Sequence, residues 1–288
     1  MKEERMPNAS LVAKQPQALG DMVQLPKQLT ALPPFNGSAI RLLSLTSNIE
    51  QSFSEIEEIF RCDPVLTADL LLAANSAAFA LRSRVSSIRQ ALAFLGLDRI
   101  RSLAIMVSAS SYLRGQLPPK KAKPIWMHGV ATGVIAEYLT NYSDGESGPL
   151  LYALGLLHDI GRLGLLASSK EAYGTFLETE FSNVEESQEV EHQLVKITHN
   201  DAGELLLRTW GFPPAFSNCS LTHHTNCEGD KAEDRIIRTA CVLAHSMGYP
   251  EIHLHTPPQC TSADKWRDAV ADGSVRNMIG EKIQSYLR

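Results

Sequence analysis

The chain has 288 residues, of which 44% are hydrophobic and 20% are charged, and its formal net charge is −5 at pH 7. This length and apolar content suffice for one large domain or two modest ones with a real core. The acidic balance gives no electrostatic basis for binding nucleic acid or an anionic membrane, so both classes of partner are disfavoured.

The cysteines and the N-terminus indicate the compartment. The five cysteines are scattered, odd in number and without a CxxC pair, which favours a reducing compartment over a disulfide framework or a structural zinc site. The first residues mix charges without the apolar segment of a signal peptide, and apolar runs such as 70–74 are far shorter than a membrane span. We therefore expect a cytoplasmic protein that does not span a membrane.

The first part of the chain predicts a tail followed by a compact helical module. Residues 1–25 are polar and lack sustained periodicity, which indicates a flexible tail or linker. An apolar helical pattern begins at 39–47, and Asp63 followed by Pro64 predicts the start of a capped helix. Residues 85–88 predict another capped start. This module carries no candidate metal ligand.

The next part predicts helices that carry histidine. His128 lies on an apolar helical pattern, and a polar loop at 141–149 separates its helix from the one that carries His158 and Asp159. Residues 170–198 alternate acidic and apolar positions, which predicts an exposed pair of amphipathic helices.

The last part of the chain also predicts helices, with histidines at or next to their ends. His199 opens another helix, and His223 and His224 follow a short one. Residues 235–247 predict the last strongly apolar helix, and residues 251–288 predict a loop followed by a polar, helical C-terminal tail. No segment shows the alternating pattern of a β-strand.

The segment from Gly155 to Arg162 places His158 and Asp159 side by side in an apolar run. Burying both groups costs several kcal/mol unless a partner satisfies them, and a metal ion is the obvious partner. Adjacent residues of a helix point about 100° apart, so one cation reaches both only at the helix edge, and we expect its other ligands on other helices. The ordered candidate ligands are His128, His158, Asp159, His199, His223 and His224.

Imidazole and carboxylate together suit iron, manganese, zinc or nickel, and a bridged pair of such ions can activate water against a phosphate ester. We expect one or two divalent ions of this kind, or none. The other histidines have no comparable context and are interpreted as surface or packing residues: His192, His245, His253 and His255.

The order of these residues resembles the HD superfamily of metal-dependent phosphohydrolases, and the finer pattern resembles its HDOD (HD-related output domain) branch. The motifs that carry the resemblance are Asp63-Pro64-Val65-Leu66, Asn75-Ser76-Ala77, Val85-Ser86-Ser87-Ile88, Leu95-Gly96, Gly155-Leu156-Leu157-His158-Asp159-Ile160-Gly161, His199 with Gly203, Trp210-Gly211-Phe212-Pro213 and His223-His224. The first two elements are typical of HDOD rather than of HD enzymes in general.

The resemblance implies an all-α fold in which a helical N-terminal HDOD subdomain, residues 26–122, packs on an HD-type helical bundle, residues 123–250. It also implies a signalling role, because such modules typically occur beside receiver, sensor or cyclic-dinucleotide domains in bacteria. The partner would be a signalling protein such as a receiver domain or a sensor kinase, or a small signalling ligand. By similarity to HD-GYP phosphodiesterases, the first metal ion would be held by His128, His158 and Asp159. A second would be held by His199, His223 and His224.

The chain departs from the family pattern at two positions. Arg162 stands where HD-GYP proteins have a lysine, and a guanidinium fork is not equivalent to an ammonium point charge. Cys241 stands where the last aspartate ligand is expected. A thiolate binds zinc or iron, although a cysteine in such a place is more commonly a small buried apolar residue.

Two functions remain open. The leading hypothesis is a non-catalytic HDOD output module with a degenerate metal site, which binds a partner protein or a small signalling ligand. The alternative is a metal-dependent phosphohydrolase or phosphodiesterase that uses the six candidate ligands, with Asp159 and Arg162 as the catalytic candidates. No GYP element follows the HD motif, which argues against a cyclic-dinucleotide enzyme in particular.

Overall fold

The computed structural model describes residues 25–45, 49–76, 83–142, 147–225, 231–264, 266 and 273–287. Its elements are α1 (Leu25–Thr30), α2 (Gly37–Ser44), α3 (Ile49–Cys62), α4 (Pro64–Ala74), α5 (Ile88–Leu95), α6 (Leu97–Gln116), α7 (Pro119–Leu139), a 3₁₀ turn (Thr140–Tyr142), α8 (Gly148–Leu157), α9 (Ile160–Ser168), α10 (Lys170–Phe176), β1 (Glu180–Phe181), α11 (Val184–Val195), α12 (His199–Thr209), α13 (Pro214–Thr222), α14 (Ala232–Ser246), β2 (His253–Leu254) and α15 (Gly273–Leu287). The predicted all-α class is confirmed. The predicted tail lies outside the described residues, except for its last residue.

Two side-chain clamps hold the N-terminal helices. The Asp63 carboxylate caps α4 by accepting a hydrogen bond from the N–H of Leu66 at 2.9 Å, and it also accepts one from the side chain of Asn36, which caps α2. At the other end of α4, Asn75 donates to the carbonyl oxygen of Val85 and accepts from its N–H, both at 2.8 Å. The predicted helix start at Asp63 is confirmed, and Asn75 fixes the segment that leads into α5.

Glycines bring α7 and α8 into backbone contact. A Cβ atom added to Gly155 would lie 2.8 Å from the Cα of Gly133, so no larger residue fits at this crossing. The close approach places the imidazole rings of His128 and His158 with their centroids 5.1 Å apart.

Two further glycine contacts join α9 to α12 and α12 to α13. A Cβ atom on Gly161 would lie 1.9 Å from the carbonyl oxygen of His199, and one on Gly203 would lie 2.0 Å from Oγ of Ser220. These contacts bring the start of α12 against the turn that precedes α9. The sequence elements that resemble the HDOD pattern therefore include the residues that set the helix spacing.

The structure differs from the sequence prediction around the His-Asp pair and after it. Helix α8 ends at Leu157 and α9 begins at Ile160, so His158 and Asp159 form a turn between two helices instead of lying within one. The backbone of Asp159, with φ −105° and ψ 20°, leaves the helical path there. Within 170–198, β1 separates the two helices and pairs in parallel with β2, which lies in the segment predicted as a loop.

The C-terminal helix α15 packs against α7, and its Lys282 lies 2.9 Å from the carboxylate of Glu137. In the part of the chain that the structure describes, the stretch Gly148–Ser168 is long and apolar enough to cross a membrane by length and composition. Because 89% of it is buried inside the bundle, it has the character of a core helix pair.

Replacing Gly161 with alanine tests the contact between α9 and α12. The added methyl group would meet backbone atoms, which cannot swing away, so we expect Gly161→Ala to lower the free energy of unfolding by about 2 kcal/mol or more. Gly280→Ala is the matched control, since Gly280 lies in α15 with nothing within 4 Å of the added atom, and it should be neutral or stabilising by up to about 1 kcal/mol. Urea unfolding measures both. Equal stability of Gly161→Ala and the wild type would contradict the close contact.

Candidate metal centre

The ligand candidates predicted from the sequence converge at one place inside the bundle. They are His128 on α7, His158 and Asp159 in the turn between α8 and α9, His199 at the start of α12, and His223 and His224 after α13. All are at most 3% exposed except His224, which is partly buried. The structure thus brings the whole set together, and metal binding by this set stays a prediction.

Hydrogen bonds fix the orientation of two of these rings. Nδ1 of His158 lies 2.6 Å from the carbonyl oxygen of Gly155, and Nδ1 of His223 lies 2.8 Å from that of Ser220. Because a carbonyl oxygen only accepts, each Nδ1 carries the hydrogen, and each Nε2 presents its lone pair to the centre.

Several buried polar atoms of the centre lack a hydrogen-bond partner. They are Nε2 of His158, His223 and His224, Oδ1 of Asp159 and, on the side of His128, Oε2 of Glu251. Oδ1 of Asp159 lies 3.5 Å from Nε2 of His223 and 3.6 Å from Nε2 of His199. Buried acceptors without a donor are costly, and here two acceptors face each other. A cation between them would satisfy both.

The donor atoms fit a divalent metal ion. Two ligands at the usual zinc distances in a tetrahedral arrangement lie about 3.3 Å apart, close to the observed separation of Asp159 and His223. The ligand atoms of His158, Asp159 and His223 all lie within 4.8 Å of one another. Imidazole nitrogen with carboxylate oxygen is the donor chemistry of zinc, iron, manganese and nickel sites.

The protonation states also suit a metal ion. Burial lowers the pKa of His158 to about 3, although the charge of Asp159 opposes the shift, so the ring is neutral at pH 7. Burial acts to raise the pKa of Asp159, but the guanidinium of Arg162 outweighs it and holds that pKa well below its usual range. A neutral imidazole and an ionised carboxylate are the forms that bind metal.

Arg162 lies inside the centre. Its side chain is 1% exposed and donates from Nε to Asp159 at 3.3 Å, from Nη1 to Glu191 at 3.4 Å, and from Nη2 towards Nε2 of His199 at 3.4 Å. Burial acts to lower the pKa of Arg162, but Asp159 outweighs it, so the guanidinium keeps its charge. Since Nη2 lies on the lone pair of His199 and like charges repel, this fixed cation opposes a metal ion on His199.

Glu191 is a buried residue of the site that the sequence analysis missed. Its Oε2 accepts from the N–H of His199 at 2.6 Å and from Nδ1 of the same ring at 2.7 Å, and its Oε1 accepts from the hydroxyl of Tyr173. The prediction of exposed helices over 170–198 is wrong here, because Glu191 shares a buried face of α11 with Ser187 and Val195. That four-residue spacing is the one sequence signal that could have revealed it.

His128 is held at both ring nitrogens. Nδ1 donates to the carbonyl oxygen of Tyr249 at 2.8 Å, and Nε2 lies 3.5 Å from Sγ of Cys241. Burial raises the pKa of the Cys241 thiol well above its usual value, so the thiol is protonated at pH 7 and can donate to Nε2. The position of the expected aspartate thus carries a neutral group in contact with His128.

A carboxylate does reach the centre from a different place, the segment after α14. Oε2 of Glu251 lies 3.2 Å from Nδ1 of His128 and 3.9 Å from Nδ1 of His245, and its ligand atom is within 4.8 Å of those of His128 and Asp159. Burial raises the pKa of Glu251, but His128 outweighs it, so this carboxyl is ionised. The sequence interpretation of His245 as a residue without site context is therefore incomplete. No motif marks Glu251.

One of the clefts among the described residues adjoins the centre. That cleft has a volume of about 400 Å³ and includes Lys120, Lys121 and Glu178 in its lining. Among the described residues that line this cleft, Glu251 is the one that belongs to the centre, and it is 4% exposed.

A protein family model matches this chain. The family model described as HDOD domain matches residues 32–226, more than half of the chain. The chain belongs to the HDOD domain family. This match covers the chain from just before α2 to the end of the candidate ligand set, and it ends before Cys241 and Glu251.

Similar proteins share the fold. A structure from Shewanella amazonensis SB2B with a provisional phosphohydrolase name has a TM-score of 0.67 at 18% identity, covering 91% of this chain and 96% of that one. An HDOD domain protein with unknown function from Geobacter sulfurreducens has a TM-score of 0.63 at 17% identity, covering 93% and 89%. At these identities the likeness shows the fold alone.

A curated relative is an uncharacterised protein from Treponema pallidum (strain Nichols), 24% identical over 208 residues. The match covers 72% of this chain and 38% of that protein, so this HDOD chain spans well under half the length of the relative.

Removing the Glu191 carboxylate tests the polar network around His199. Glu191→Ala leaves the buried Arg162 and His199 without their shared partner, and we expect a loss of about 3–5 kcal/mol of unfolding free energy. The control is Glu189→Ala, an exposed position on the same helix, which should change stability by less than about 0.5 kcal/mol. Chemical denaturation of both variants measures the difference. Identical midpoints would show that Glu191 does not hold the site.

Proposed function

We propose that this HDOD domain is an output module of bacterial signal transduction that works in the cytoplasm without hydrolysing a phosphate ester. It acts by binding a signalling protein, such as a receiver domain or a sensor kinase, or a small signalling ligand. The observation that carries the proposal is the burial of the ligand candidates around the His-Asp turn: His128, His158 and Asp159 are at most 3% exposed, whereas His224 at the edge is partly exposed. A hydrolytic centre needs a metal position that water and substrate reach, and this burial argues against it.

The chemistry of the interior supports the same conclusion. The last ligand of an HD enzyme is a carboxylate, and here a protonated Cys241 contacts His128 in its place. The guanidinium of Arg162 is enclosed by Asp159, Glu191 and His199, so it is not free to hold a substrate phosphate.

A metal ion in this centre would have a structural role. Its donors come from the α8–α9 turn and the end of α13, elements that otherwise meet through packing and a few hydrogen bonds. Binding that requires the folded arrangement of the ligands adds its free energy to the stability of the fold. The bundle then presents the N-terminal helices as a rigid surface.

Exposed apolar side chains are present on those helices. Val65 and Leu72 are seven residues apart on α4 and are 71% and 67% exposed, and Phe94 on the adjoining α5 is 58% exposed. Large exposed apolar side chains on neighbouring elements are typical of protein-binding surfaces. They favour a protein partner.

The alternative is a metal-dependent phosphohydrolase or phosphodiesterase. The unpartnered nitrogens of His158 and His223 beside Asp159 favour it, because they can hold an ion that lowers the pKa of bound water. Asp159 and Arg162 would then be the catalytic residues.

A hydrolysis assay separates the two functions. Wild-type protein loaded in turn with iron, manganese, nickel and zinc is incubated with bis(p-nitrophenyl) phosphate and with a cyclic dinucleotide. We expect release of product no faster than with His158→Ala under any metal, since substrate does not reach the centre. Hydrolysis by the wild type that disappears in His158→Ala would establish the enzyme and refute the output module.

A further inference from the structure

The two flanks of the centre differ from its middle. On one flank, both ring nitrogens of His128 have protein partners, Tyr249 and Cys241. On the other flank, both ring nitrogens of His199 have partners, Glu191 and Arg162. Between the flanks, Nε2 of His158 and Nε2 of His223 have no hydrogen-bond partner.

The unpartnered atoms in the middle form a compact set. Nε2 of His158, Oδ1 of Asp159 and Nε2 of His223 are buried without a hydrogen-bond partner, and Oδ1 lies 3.5 Å from Nε2 of His223. One ligand atom from each of these residues lies within 4.8 Å of the other two. Their lone pairs converge because Gly155 and Ser220 accept the hydrogens on the far side of the two rings. His224, whose Nε2 is also buried without a partner, is the nearest further donor, with its ring centroid 4.1 Å from that of His223.

We propose that the centre is a one-ion site, in which His158, Asp159 and His223 bind a single divalent cation and the guanidinium of Arg162 takes the place of a second. This inference deepens the proposed function and depends on its metal centre. It divides the six candidate ligands differently from the two-ion arrangement that the resemblance implies, because it leaves His128 and His199 outside the coordination sphere.

Arg162 can replace a cation because it makes a cation's contacts. Its three nitrogens reach the carboxylate of Asp159, the carboxylate of Glu191 and the lone pair of His199. An ion bound to His199 would have to displace Nη2 and lie beside a fixed positive charge. The side chain is enclosed, so it has no solvent-exposed position into which it could withdraw.

The first experiment measures how many ions bind. Protein freed of metal with a chelator is dialysed against excess Zn²⁺ or Co²⁺, and the bound metal is counted by mass spectrometry. We expect one equivalent for the wild type. The double variant Arg162→Met/Glu191→Gln removes the guanidinium and one matching carboxylate charge, so the interior charge is balanced, and we expect it to bind up to two equivalents. Arg99→Met is the control for loss of an arginine elsewhere, and it should bind one.

The second experiment identifies the ligands and does not require the double variant to fold. By titration with Co²⁺, His158→Ala and His223→Ala should bind more than about 100-fold more weakly than the wild type, since loss of a ligand exceeds the usual effect of a supporting residue. His199→Ala and Cys241→Ala should each retain one equivalent with less than about tenfold loss. The Co²⁺ spectrum of the wild type should lack a thiolate charge-transfer band.

Three results would overturn the one-ion site: two equivalents bound by the wild type, loss of the ion in His199→Ala, or no ion bound by any variant. The failure of this inference is distinct from that of the proposed function. Two ions without hydrolysis would refute the one-ion site alone, and hydrolysis with one ion would refute the output module alone.

Discussion

The interior of this HDOD domain depends on the buried ion pairs of Arg162. Among the described residues, three buried carboxylates lie in the centre, those of Asp159, Glu191 and Glu251, and the guanidinium contacts two of them directly. Charges out of water are stable only when they are paired and hydrogen-bonded, so Arg162 makes this polar interior compatible with folding. The same contacts hold the ring of His199 through Glu191 and leave the middle of the centre with lone pairs that a cation would satisfy.

The polar interior can form because the helices around it approach more closely than ordinary side chains allow. Gly133 and Gly155 bring α7 to α8, and Gly161 brings α9 to the start of α12. These contacts fix the distances between the imidazole rings, so the glycines of the motifs determine where the histidines of the motifs lie. A glycine in such a motif is required by the backbone of the neighbouring helix, and the histidines depend on that contact for their orientation.

Much of the fold was predictable from local signals. The cap at Asp63, the helix that carries His128 and the all-α class follow from periodicity and capping residues, and the structure confirms them. The convergence of the six candidate ligands also follows from their order, through the resemblance to HDOD proteins. These signals are local in sequence or repeat in a recognisable pattern.

Other features depend on contacts that no local pattern encodes. Glu191 reads as one more acid on an acidic helix, and its burial follows from the packing of α11 against the site. Glu251 lies beyond the matched region and reaches His128 because the chain after α14 returns to α7. The turn at His158 and Asp159 likewise depends on the helices that pack on both sides of it.

The most direct test of this account is a crystal structure of the metal-loaded protein with anomalous diffraction recorded at the absorption edge of the bound metal. The account predicts one anomalous peak, within bonding distance of Nε2 of His158, Oδ1 of Asp159 and Nε2 of His223, with the Arg162 guanidinium still on His199. Two peaks, with the second bound to His199 and Arg162 displaced, would contradict it.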